Sequence, residues 1–131
     1  MIAVVALATW VTSAGVGLYL LVRWLVRRRT PTRLMWFHLA TALTGLAVWI
    51  TYLSTDRPTA LAWVAFGVLF LNNDLGDRIG TGGWRHRNPE GRQPRLRATL
   101  ELLSGKRPIA LTHALLAGTT FFLVLFTALG F

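Results

Sequence analysis

Cysteine is absent from the sequence, which excludes a disulfide framework, a thiolate metal site and a cysteine nucleophile. Acidic residues are scarce, five against fourteen Lys and Arg. No Asp, Glu or Lys falls in the middle of an apolar run, and Asp74 lies near the end of its own. That argues against a small proton-coupled transporter, which needs an ionisable group at mid-membrane depth. A phosphate-binding glycine motif is missing as well: Gly80, Gly82 and Gly83 follow no strand and lead to no Gly-Lys-Ser or Gly-Lys-Thr. The first apolar run starts at Met1 without a basic segment ahead of it and outlasts a signal-peptide core, so it is expected to be a retained helix.

What fills the chain is apolar. Hydrophobic residues make up 53% and charged ones 15%, with a mean hydropathy of +0.49. Four runs stand out, at about 2–26, 34–53, 59–75 and 108–131. Each approaches the roughly 20 residues that cross a bilayer core as a helix. The sequence therefore predicts an all-α, four-transmembrane-helix bundle forming one integral membrane domain over 1–131. The net charge of +9 is accounted for by topology and needs no nucleic-acid partner. Thirteen of the fourteen basic residues lie in or beside two connections, 27–33 and 76–107. By the positive-inside rule both connections face the cytoplasm, leaving the two termini outside the plasma membrane. Trp24 suits the interface, Arg27, Arg28 and Arg29 stop the first span, and Pro31 fixes the turn.

Faces can be read along each run. Thr9, Ser13 and Gly17 recur every four residues, the small-xxx-small spacing that lets membrane helices approach, so this face should meet a neighbour. The second run carries His38, Thr41, Ala42, Gly45, Trp49 and Tyr52 on one stripe. Its small residues either form a groove or simply let helices pack. The third run closes on Asn72, Asn73, Asp74, Asp77 and Arg78, which can line a polar site or cap the helix and pair with arginine. The loop from 80 to 94 is rich in Gly, Arg and Pro and reads as irregular, with His86 solvated. A short interfacial helix over about 95–104 follows, with Leu96, Leu100 and Leu103 on one side and basic flanks suited to an anionic leaflet. The last run shows His113, Ala117, Thr120 and Val124 on one face.

The two halves share a plan: a descending helix, a basic loop, then an ascending helix with a histidine shortly after an arginine, Arg33 then His38 and Arg107 then His113. If real, the plan makes parallel repeats about an axis along the membrane normal, passing between the histidines. An imidazole inside lipid needs a partner, and each histidine lies roughly 8 to 9 Å past its arginine by helical rise. Two facing imidazoles, small residues such as Thr41, Gly45 and Ala117, and Arg33 and Arg107 to pair with propionates are what one bis-histidine haem b requires. In this respect the chain resembles the small haem b membrane anchors of quinone-linked dehydrogenases and related four-helix membrane cytochromes. The resemblance covers the helix count and the two histidines. The segment Thr112-His113-Ala-Leu-Leu-Ala-Gly-Thr-Thr also looks like uncharacterised actinobacterial integral membrane proteins. The expected function is electron transfer between a cytoplasmic-side partner in a larger redox complex and a membrane quinone, with Asp74 and Arg78 as candidates to hydrogen-bond or protonate the quinone. The alternative is a haem-free structural or accessory subunit of a larger membrane complex.

Overall fold

The computed structural model describes residues 1–27, 31–105 and 107–131. Five helices follow one another: α1 (Ile2–Val26), α2 (Arg33–Ser54), α3 (Thr59–Arg87), α4 (Pro94–Leu103) and α5 (Pro108–Ala128). All but α4 are long and apolar enough to cross a membrane. Arg28, Arg29 and Lys106, part of the basic connections, lie outside the described residues.

Local chemistry sets most of the boundaries. Thr32 caps α2 by accepting from the Met35 N–H. Pro94 and Pro108 stand in the first turns of α4 and α5, where a missing N–H leaves no intrahelical bond unmade. Gly105, at φ 73°, takes the left-handed conformation just beyond α4.

The spans form a ring in the order α1, α5, α3, α2. Packing is most extensive between α2 and α3 and between α1 and α5, while α1 and α2 touch least. The core lies away from the basic loops: Ala3, Ala6 and Trp10 of α1 meet Trp49 and Tyr52 of α2, Ala62, Ala65 and Leu69 of α3, and Val124 and Ala128 of α5. The Trp49 indole donates to the Ala3 carbonyl at 3.1 Å, and its ring stacks on Tyr52 with centroids 4.8 Å apart. Outward, the long helices expose Leu18, Phe37, Leu43, Phe70, Leu115 and Phe122, each at least half accessible. Water would penalise so continuous an apolar exterior, and a bilayer accepts it. The molecule is built as a multi-pass helical membrane protein.

The buried positions repeat between halves. Ala3, Ala6, Trp10 and Ser13 are the buried residues of α1, and Ala62, Ala65, Leu69 and Asn72 occur at the same spacing in α3. When His38 is set against His113, Gly45 and Trp49 of α2 fall on Thr120 and Val124 of α5, all four buried.

The third helix departs from the sequence reading. The apolar run ends at Leu75, yet α3 continues to Arg87, taking the first half of the expected irregular loop and leaving only 88–93 outside the helices. Trp84 is buried and packs so closely on the backbone at Gly91 that no side chain would fit there. Arg87 pairs with Glu101 at 2.8 Å, tying the extension to α4. These contacts outweigh the cost of Gly80, Gly82 and Gly83, each about 1 kcal/mol less favourable than alanine in a helix. Elsewhere the shifts are small, α5 for example ending at Ala128 and not at Phe131.

Candidate functional site

His38 and His113 face each other inside the bundle, toward the basic end. Their ring centroids are 6.2 Å apart and their planes meet at 79°. Each ring is held by the helix beside it. His38 Nδ1 lies 3.0 Å from the Asn72 carbonyl on α3. His113 Nδ1 lies 3.0 Å from the Ser13 carbonyl on α1 and 3.3 Å from the Ser13 hydroxyl. A carbonyl oxygen only accepts, so Nδ1 carries the hydrogen in both rings and the neutral imidazole keeps its lone pair on Nε2.

One turn past each carbonyl stands a glycine. A Cβ at Gly17 would come 2.9 Å from His113 Cε1, and one at Gly76 would come 3.3 Å from His38 Cε1. The same device thus occurs twice, with Ser13 and Gly17 serving one ring and Asn72 and Gly76 the other.

A narrow void of about 30 Å3 lies against both rings, bounded also by Trp10, Ala14, Leu69 and Ala117. Polar neighbours close the surroundings. Thr41 donates to Asn72 Oδ1 at 2.8 Å, and the buried Thr120 hydroxyl lies 2.9 Å from that of Thr9. The stripe Thr9, Ser13 and Gly17, spaced four residues apart, does face a neighbour, as its spacing implied, and that neighbour is α5.

The other candidates divide. Ala117 lines the void with the histidines. Gly45 serves packing, since the Trp10 indole occupies the space where a Cβ would stand, 2.7 Å from it. Arg33 and Arg107 are exposed at the mouth of the bundle. Asp74 and Arg78 pair with each other at 2.7 Å, one turn apart, Arg78 exposed and Asp74 partly so; the pairing expected here is present, but not the capping, because α3 runs on to Arg87. Among the described residues no set of three His, Cys, Asp or Glu side chains converges. The two imidazoles are the donor set.

Ser13, Asn72 and Gly76 were missed as histidine partners. A main-chain acceptor leaves no mark on its own side chain. The available signal was the spacing of small and apolar residues in the first and third runs, because setting Ala3, Ala6 and Trp10 on Ala62, Ala65 and Leu69 aligns Ser13 with Asn72 and Gly17 with Gly76.

No family model, curated protein or solved structure matches the chain. What the site does is read from its chemistry.

Proposed function

We propose that His38 and His113 hold one haem b as its two axial ligands, in a membrane electron-transfer protein made of two related helical hairpins. The observation that carries this is the matched pair of Nδ1-to-carbonyl hydrogen bonds. Such a bond fixes the tautomer, orients the ring and raises the basicity of the free nitrogen, as the outer partners of metal-ligating histidines do. The spacing agrees: an imidazole nitrogen sits roughly 2 Å from a first-row metal, so two rings on opposite sides of one ion have centroids on the order of 6 Å apart. Two nitrogens are an incomplete set for a bare ion and a complete axial set for haem iron.

Ala14, Ala42 and Ala117 present little side chain beside the rings. The void of about 30 Å3 is far smaller than the macrocycle, so haem requires the side chains that line the void to move aside while the two rings keep their spacing. Haem supplies a one-electron couple when bound. The chain's own residues hold it: the two carbonyls orient the rings, and Arg33 and Arg107 pair with propionates at the basic end. In this reading the basic end is cytoplasmic and the protein lies in the plasma membrane, with both termini outside. Electrons pass between a partner on that side and a membrane quinone near Asp74 and Arg78. The outer halves of the helices carry no histidine for a second haem.

The visible spectrum of the purified, reduced protein tests the assignment. A Soret band with sharp bands at longer wavelength is expected, and His38→Ala and His113→Ala should each abolish it. Asp74→Asn should keep the spectrum and slow oxidation by quinone. Haem retained unchanged in both histidine variants removes the assignment, and two haems per chain removes the one-sided mechanism. The smallness of the void favours a second reading, a haem-free accessory subunit in which the histidines bracket the helices. A colourless protein purified from haem-replete cells selects it.

A further inference from the structure

At the basic end, outside the membrane core and independent of what the histidines hold, a groove of about 640 Å3 opens between the extension of α3 and the first turn of α4. Arg78, Thr81, Gly82 and Arg85 form its α3 wall, spaced as one stripe of a helix. Gln93, Pro94, Arg95 and Leu96 form the other. Gly82 leaves the middle of the stripe bare, with nothing within 4 Å of where a Cβ would stand.

The charge of the groove is uncompensated. Arg78 is paired with Asp74, but neither Arg85 nor Arg95 has an ion pair among the described residues, and no carboxylate is among the lining residues. The depth is informative too. At about 1.5 Å per residue the stretch from Thr59 to Arg78 covers roughly 29 Å, close to a hydrocarbon thickness of about 30 Å. Arg78 to Arg85 therefore emerge at headgroup level. Beside them, Leu96, Leu100 and Leu103 of α4 are all at least half exposed, an apolar edge that can rest among acyl chains.

We infer that this groove is a binding site for the phosphate headgroup of an anionic phospholipid. Arg85 and Arg95 engage the phosphate oxygens from opposite walls by charge-assisted hydrogen bonds. Thr81 and Gln93 supply neutral donors, and Leu96 meets the start of the acyl chains. The site uses the helical extension that the sequence conceals, because only a helix running past Leu75 brings Arg85 opposite Arg95.

The test uses the full-length protein, delipidated in a neutral detergent. Dioctanoyl phosphatidylglycerol, dioctanoyl phosphatidylcholine and inorganic phosphate are the probes, and native mass spectrometry reads retained adducts. The wild type should retain phosphatidylglycerol in preference to phosphatidylcholine, and inorganic phosphate should not displace it. Arg85→Gln/Arg95→Gln should weaken retention on the order of tenfold or more, from the worth of two surface arginines toward an anionic lipid. Gly82→Leu, which fills the groove without changing a charge, should do the same and keeps the test decisive if the double variant fails to fold. Arg57→Gln, at the opposite end of the bundle, should behave as wild type. Equal retention of the two lipids, full retention in Gly82→Leu, or an equal loss in Arg57→Gln overturns the proposal. Displacement by inorganic phosphate at lipid-like concentrations overturns the lipid as the source of the bound phosphate.

Discussion

His38 and His113 each commit one ring hydrogen to a main-chain oxygen of the adjacent helix, so their orientation depends on backbone more than on neighbouring side chains. Ser13→Ala should consequently matter little. It removes the 3.3 Å hydroxyl contact but keeps the 3.0 Å carbonyl, and the expected loss is under about 1 kcal/mol. Gly17→Ala should matter more, since its Cβ would crowd His113 at 2.9 Å and overpacking of this kind costs about 1–3 kcal/mol. At Gly76 the corresponding contact is 3.3 Å, and alanine should be better tolerated. Thermal unfolding of the three variants in detergent checks the order, and Gly76→Ala proving worse than Gly17→Ala would contradict it. The histidines themselves were legible in the sequence because an ionisable ring in an apolar run is conspicuous and the two follow their arginines at similar depth. Their acceptors were not, because any residue carries a carbonyl. Gly45 was legible only as a small residue, and nothing in its spacing told that Trp10 would occupy the space.

At the level of elements, the four spans follow from uninterrupted apolar length, so their existence was plain in the sequence. The extension of α3 was not, because its residues carry the marks of a loop: four glycines, three arginines and no apolar stripe. It is held by long-range contacts, the burial of Trp84 against Gly91 and the Arg87–Glu101 pair, which local sequence does not announce. Two measurements follow. Gly80→Ala, at a helical position with open space around the new methyl, should raise helix stability by about 0.5–1 kcal/mol, seen as slower hydrogen exchange over 80–87. Trp84→Ala should have the opposite effect there and leave exchange in α1 and α5 unchanged. Faster exchange in all the helices would mean that Trp84 supports the whole bundle and not only the extension.

For the whole molecule, orientation and assembly are the testable properties. Single cysteines at Thr55 and Arg92, both exposed and at opposite ends of the bundle, should label from opposite sides of the membrane, with Arg92→Cys protected in intact cells. Labelling of Arg92→Cys from outside would reverse the topology. The closest packing joins the two halves, α1 to α5 and α2 to α3. A chain divided in the turn before Pro58 and expressed as two pieces should therefore reassemble and co-purify, whereas pieces that purify separately would show that the connection itself is needed. The pairing of α1 with α5 also sets an order in time. During synthesis α1 enters the membrane about a hundred residues ahead of its main partner, an interval on the order of 5 to 20 s at ordinary rates of elongation. Through that wait the hydroxyls of Thr9 and Ser13 have lipid, and not α5, beside them. Newborn chains are then most exposed to quality-control proteases before α5 is made, and a message truncated ahead of α5 leaves an α1 that never finds its mate.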